Sequence, residues 1–272
     1  MKSHHILFLF VLLLLAYLFF SRPVEGFQAP ETVVCFLCVC PNEKVIGFAR
    51  KVSKEYKTYI ICDDVKCKTP EDPDITFLKI TDQESASAGW TKSNITLQKP
   101  TTAWDKVLYY FAVKDTSPAH VWIIEEDVFV PDAAVLTGID AKYPDADLIA
   151  KQHVRDDEDP DFMWWHDAEG YLEKPHYRSL VCATRLSRRL LNAVVDFVDE
   201  HKRLVFIEII FNTLVVQKKF KLEMPEELST IIWRHEWTAE TLDSKHLFHP
   251  IKDVTIHDSY RVRLNQIAAR EN

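Results

Sequence analysis

The sequence predicts an α/β fold: a single domain on a mostly parallel central sheet flanked by helices. Two observations carry that expectation. Strand-like and helix-like segments alternate from the N-terminal third onward, as in chained strand–helix–strand units. The first strands are also continuous apolar runs rather than alternating ones, as a sheet covered on both faces requires. With 272 residues, 47% of them hydrophobic, the chain carries enough apolar mass for one sizeable core.

The elements follow in order. "TVVCFLCVC" (residues 32–40) is the first strand. Asn42 is placed to cap the helix "EKVIGFARKVSKEY", whose Val45, Ile46, Ala49 and Val52 share one face. "KTYIICDD" is a second strand, ending in Asp63 and Asp64, and "ITFLKI" a third. A polar stretch holding the sequon Asn94-Ile95-Thr96 leads to Pro100, and Thr101 or Thr102 starts the helix "AWDKVLYYFAVKD". The strand "HVWIIEEDVFVPD" (residues 120–132) comes next, then a short helix "DAAVLTGIDAKY" and a strand "ADLIAKQHV". "RDDEDPDFMWWHDAEGYLEKPHYRS" is a loop too long to be a plain connector. "LVCATRL" is a strand, Ser187 caps the amphipathic helix "RRLLNAVVDFVDEHKR", "FIEIIFNTLVVQKK" is a mostly buried helix and "STIIWRHEW" a late strand. The domain is expected over residues 32–260, with 261–272 as a C-terminal tail.

Residues 1–26 read as a targeting element, with Lys2 ahead of an unbroken apolar run over residues 6–20. The run suits either a cleaved signal peptide, with Val24 and Gly26 as small cleavage determinants, or a short uncleaved membrane anchor. A stem over 27–31 follows. Either form puts the domain in the secretory lumen: held at an ER or Golgi membrane as a single-pass protein, or secreted. A glycan on Asn94 would agree with that compartment. Of the six cysteines, Cys35, Cys38 and Cys40 read as small buried strand residues, and a disulfide from Cys67 to Cys62 or to Cys40 is open.

Composition excludes several functions. The net charge is −8 with no Lys/Arg-rich block, so nucleic acid is not an expected partner. The 5 glycines, at positions 26, 47, 89, 138 and 170, assemble neither a dinucleotide fingerprint nor a P-loop. Any nucleotide phosphates need another holder.

That holder is suggested by Glu125, Glu126 and Asp127. In open α/β sheets ligands bind beyond the carboxyl ends of the strands, where these acids fall. Three adjacent carboxylates repel one another and are costly to desolvate unless a cation joins them. A hard divalent ion, Mg²⁺ or Mn²⁺, sharing its shell with substrate phosphates meets that need. The plainer alternative is a solvated turn with one acid paired to Lys or Arg.

The run "IIEEDVFVPD" resembles the metal-binding "DXD" region of GT-A fold glycosyltransferases, especially the "EDD" form of Golgi N-acetylglucosaminyltransferases. The order of elements is similar over residues 32–253, although only this run matches closely and Glu126 replaces the central Asp. The resemblance implies a GT-A-like domain with Asp127 as direct metal ligand. It also implies Glu125 on metal, water or donor sugar-nucleotide, with Glu126 beside the donor. Asp63 and Asp64 would meet the base or ribose, unless they are ordinary turn acids. In "HPIKD", His249 would bind the metal and Lys252 the diphosphate, with His257 in reserve, unless His249 is a surface residue ahead of a Pro-defined turn; Lys106, read from its place on the helix, either reaches a phosphate or is a solvated surface lysine.

Glycosyl transfer with inversion also needs a base for the acceptor hydroxyl. Glu208, the single acid in an apolar helix, is the first candidate, and Asp167 of "MWWHDAEG" its rival; a partner such as Arg185 would make Glu208 structural instead. Trp164, Trp165 and His166 are candidate acceptor contacts, with one Trp ring expected to anchor the loop. The expected function is a metal-dependent glycosyltransferase, moving a sugar from a UDP- or GDP-sugar donor to a glycan or glycoconjugate. A non-catalytic GT-A-like glycan-binding protein and a metal-dependent phosphohydrolase or nucleotidyltransferase are the alternatives.

Overall fold

The computed structural model describes residues 31–97 and 99–271. The chain divides into two compact units, Met1–Glu31 and Thr32–Asn272. The apolar targeting segment and residues 27–30 of the stem lie outside the described residues. Among the described residues, no helix is long and apolar enough to cross a membrane.

In chain order the first half comprises β1 (Thr32–Cys38), α1 (Glu43–Val52), β2 (Lys57–Cys62), β3 (Ile75–Leu78), α2 (Asp82–Ser87), α3 (Ala103–Tyr109), β4 (His120–Glu125) and α4 (Ala133–Lys142). The second comprises β5 (Leu148–Ile149), β6 (Val154–Arg155), β7 (Tyr177–Arg178), β8 (Ala183–Ser187), α5 (Arg188–His201), α6 (Ile207–Gln217), β9 (Leu222–Glu223) and α7 (His257–Glu271). Seven strands form one sheet in the order β3-β2-β1-β4-β8-β5-β9, and β6 and β7 pair separately. The first four strands are parallel; β8 alone runs antiparallel, between β4 and β5, and β9 is parallel to β5. The mostly parallel α/β architecture expected from the sequence is the one observed.

The continuous apolar runs feed two cores at once. Along β4, Val121 and Ile123 enter one buried cluster while Trp122 and Ile124 enter the other; along β1, Val33, Cys35 and Leu37 alternate in the same way with Val34, Phe36 and Cys38. Side chains alternate across a strand, so both faces are apolar only because helices cover both. Buried residues of α3, α5 and α6 line the first cluster, and those of α1 and α4 the second. Each such side chain contributes roughly 1.5–3 kcal/mol of transfer free energy.

The helix starts follow their caps. Asn42 Oδ1 accepts from the Lys44 and Val45 N–H groups at 2.9 and 3.1 Å, and Ser187 Oγ from Leu190 N–H at 3.0 Å. Of the two candidate threonines, Thr102 starts α3, its N–H donating to Asp105 at 2.7 Å.

Three expectations change. "ADLIAKQHV" splits into β5 and β6, so its second half pairs with β7 inside the long loop. "STIIWRHEW" forms no strand; Ile231 makes one isolated bridge to His249, and the edge strand is β9 instead. Residues set apart as a tail continue α7, which buries Arg261 and Leu264. A disulfide joins Cys40 to Cys67, while Cys35, Cys38, Cys62 and Cys182 are free and buried.

Arg185 is spent on structure. Its guanidinium, 1% exposed, pairs with Asp140, whose carboxylate also accepts from Trp122 Nε1 at 3.0 Å and Tyr56 Oη at 2.7 Å. Asp140→Ala would strand a buried cation, so a loss of about 3–5 kcal/mol is expected in the denaturant-unfolding free energy. An unchanged midpoint would show the network to be dispensable.

Candidate functional site

The geometry of the carboxylate trio follows from where β4 stops. The chain turns at once, with Val128 N–H donating to Glu125 O at 3.0 Å. The turn sends the three side chains to different places.

Glu125 is half-buried at the strand end. Its Oε1 accepts from Trp104 Nε1 at 2.8 Å, and its backbone N–H donates to Cys182 O at 2.8 Å. Burial raises its pKa, and the neighbouring Asp127 carboxylate raises it further against the pull of the Trp104 hydrogen bond and His249. Asp127 is buried and its Oδ2 pairs with Lys252 Nζ. Glu126 turns away, its Oε1 taking the Val39 N–H at 3.4 Å beside the Cys38 thiol. It does not join the other two side chains.

A segment more than 120 residues later completes the cluster. Phe129 and Phe248 exchange backbone hydrogen bonds at 2.8 and 3.0 Å, and Ile251 N–H donates to Asp127 O at 2.8 Å. A small core of Phe129, Leu242, Phe248, Ile251 and Leu264 holds this pairing. His249 is thereby fixed with Nε2 3.6 Å from Asp127 Oδ2 and 4.0 Å from Glu125 Oε2. Its Nδ1 lies 3.1 Å from Ile232 O. A carbonyl there engages Nδ1 and fixes the ring with Nε2 facing the carboxylates.

Two carboxylates, an imidazole lone pair and the adjacent Cys182 thiol are a donor set that fits a divalent cation. One ligating atom each from Glu125, Cys182 and His249 lie within 4.8 Å of one another. Lys252 presently supplies the positive charge: burial lowers its pKa, but the bond to Asp127 more than reverses that and the net shift is upward. Its side chain is 77% exposed, so it can swing to another anion without disturbing the core. His257 points elsewhere, its Nε2 3.1 Å from Ile251 O, and burial depresses its pKa to about 4.

Glu208 sits in the first turn of α6. Burial pushes its pKa up to about 7; Arg178 pulls it down and Glu125 pushes it further up. Glu208 is near enough to Glu125 and to the Cys182 thiol for its charge to act on both. Arg185, its suggested partner, is committed to Asp140 instead.

No family model and no curated protein matches the chain. Among solved structures it is similar to the apo form of mouse xyloside xylosyltransferase 1, at 10% identity over 75% of this chain and 88% of that one, with a TM-score of 0.38. It is also similar to an active-site mutant of LgtC, at 11% identity over 87% of this chain and 95% of that one, with a TM-score of 0.41. Likenesses this loose carry no argument about function. The site's own chemistry has to.

Several expected residues lie outside the cluster. Asp167 is fully engaged: Oδ1 accepts from Arg203 at 2.5 Å and Oδ2 from Phe206 N–H at 2.7 Å, where α6 begins. A carboxylate there complements the helix dipole, which makes Asp167 a fastener of α6 rather than a base. Lys106 is corrected too. Its buried ammonium meets Asp63 O, Asp63 Oδ1 and Asp82 Oδ1 at 2.6–2.8 Å, which uses all three donors and leaves none for a phosphate. Asp63 also pairs with Lys99 at 2.7 Å, and Asp64 accepts from Lys66 N–H at 2.9 Å in a turn. Trp165 anchors the long loop through Nε1 to Asp159 O at 2.8 Å, Trp164 packs on Phe206, and His166 is exposed. Asn94 is half-buried in a turn, its Oδ1 taking Thr96 N–H and O–H at 3.0 and 2.6 Å.

Sequence reasoning missed the places of Trp104 and Cys182. Trp104 precedes Asp105 and Lys106 on α3, one turn from the strand ends, and an indole N–H aimed at an acid leaves no mark in a pattern. Cys182 immediately precedes β8, which runs antiparallel to β4, so the start of β8 meets the end of β4. That neighbour appears only once the reversed strand is known.

Proposed function

We propose that this protein is a GT-A-type, metal-dependent glycosyltransferase that moves a sugar from a UDP- or GDP-sugar donor to a hydroxyl of a glycan or glycoconjugate, with inversion. The observation that carries the reading is the meeting of Glu125, Asp127, His249 and Lys252 at the carboxyl end of β4, with the high-pKa Glu208 beside them. Glu125, Asp127 and His249 would hold Mn²⁺ or Mg²⁺, which supplies Lewis-acid neutralisation of the leaving diphosphate.

The chain's own groups do the rest. Trp104 orients Glu125. Lys252 leaves Asp127 for the diphosphate and adds positive charge where negative charge develops. Glu208 accepts the acceptor hydroxyl's proton as that oxygen bonds the anomeric carbon, while the carbon–oxygen bond to the diphosphate breaks with its electron pair leaving on the diphosphate. A group of pKa about 7 suits that work near neutral pH. A lumenal setting is part of the proposal, and the Cys40–Cys67 disulfide supports it.

The test is a panel of UDP- and GDP-sugars incubated with and without Mn²⁺, scored for sugar consumed and for the anomeric configuration of the product. Turnover of one donor only with metal, giving the inverted anomer, is expected. Metal-independent turnover, or no donor bound at all, would overturn the proposal.

A further inference from the structure

We propose that Cys182 is a ligand of this same metal centre and gives it a preference for thiophilic ions such as Zn²⁺, Co²⁺ and Cd²⁺ over Mg²⁺. The inference rests on reading Glu125, Asp127 and His249 as a metal site.

Cys182 differs in its surroundings from Cys35, while Cys38 adjoins the single carboxylate of Glu126. Cys35 is enclosed by apolar neighbours of the sheet, whereas the Cys182 thiol is acted on by the carboxylates of Glu125, Asp127 and Glu208. The backbone bond from Glu125 N–H to Cys182 O holds the two residues side by side where β4 ends and β8 is about to begin. Its ligating atom and those of Glu125 and His249 fall within 4.8 Å of one another. An independent observation points to the same spot: His249 is 3% exposed, its Nδ1 is committed to Ile232 O, and Nε2 is aimed at the Glu125 and Asp127 carboxylates. A buried imidazole nitrogen facing two carboxylates, with a thiol in the same cluster, gives a divalent cation nitrogen, oxygen and sulfur donors in one place.

The chemistry of the set decides which cation. Mg²⁺ takes oxygen ligands and keeps its waters, so a site offering sulfur and imidazole beside two carboxylates gives it little. Zn²⁺ and Co²⁺ accept all three donor types, and thiolate draws them most strongly. On binding, the metal–sulfur bond replaces the S–H bond and the thiol proton passes to solvent; no electron is transferred.

The experiment is Co²⁺ titration of the purified protein, followed by thiolate-to-cobalt charge-transfer absorption in the near ultraviolet, with Zn²⁺ and Mn²⁺ affinities by calorimetry. Wild type is expected to show the band. Cys182→Ser and Cys182→Ala are both expected to lose it while keeping Cys35, Cys38 and Cys62, which serve as internal controls. Zn²⁺ affinity should fall by at least the roughly 10- to 100-fold that even an outer-shell change costs. Mn²⁺ affinity should change by less than about threefold, because Mn²⁺ draws mainly on oxygen. Co²⁺ bound by wild type without the band, or Zn²⁺ held by both variants as tightly as by wild type, would overturn the role of Cys182 alone. No binding of any of the three ions, or binding indifferent to Asp127→Ala, would overturn the metal site itself.

Discussion

Asp127→Ala is expected to lower kcat/KM for sugar transfer by at least about 10³-fold, at or beyond the upper end of what losing one charge-stabilising donor costs. Asp127 is the residue on which the cluster converges: Lys252 pairs with it, His249 Nε2 stands 3.6 Å away, and its repulsion helps raise the pKa of Glu125. Removing its carboxylate takes away a proposed metal ligand and releases Lys252. The backbone contact that fixes the late segment, Ile251 N–H to Asp127 O, survives the change, so the fold should too. Steady-state kinetics against Mn²⁺, with circular dichroism as the check on folding, reads the effect. A folded Asp127→Ala protein with wild-type turnover would reduce the trio to an ordinary ion pair with Lys252.

The second large effect belongs to Glu208. Glu208→Gln keeps the shape but cannot take a proton, so transfer should fall by about 10²- to 10⁴-fold while donor binding stays intact. Wild-type kcat/KM should rise with pH through about 7, as Glu208 loses its proton, and that limb should vanish in the variant. Stability moves the other way. The folded-state pKa is about 7 against an ordinary value of 4.5, so between them the folded chain binds more protons than the unfolded one. Stability therefore falls as pH rises through that window, by at most about 3 kcal/mol. Glu208→Gln should melt higher than wild type at pH 8 and alike at pH 4. An active variant with no change in melting would make Glu208 a bystander.

Much of this was legible in the residues. The two-faced apolar runs of β1 and β4 announced the covered parallel sheet, and Asn42 and Ser187 marked helix starts that the structure keeps. The trio at the end of β4 and the single acid in α6 stood out because buried charge is expensive and therefore conspicuous. What the sequence hid was partnership. Whether Lys106 faces a phosphate or Asp63, and whether Asp167 faces the cleft or the start of α6, depends on contacts made across the fold. Glu126 is the sharpest case: next to Glu125 in sequence, it was grouped with it, yet the turn after β4 separates the two side chains. The reversal of β8, which delivers Cys182 and spends Arg185 on Asp140, has no local signature, because a short apolar strand reads the same in both directions.

The most direct measurement is a Mn²⁺ binding isotherm taken with and without UDP and GDP, on wild type and on Asp127→Ala. One Mn²⁺ per chain is predicted, tightened at least about tenfold by one of the two nucleotides, with the same factor returned to the nucleotide by the metal and both lost in the variant. Nucleotide affinity that is identical in excess chelator, or Mn²⁺ binding untouched by removing Asp127, would contradict it.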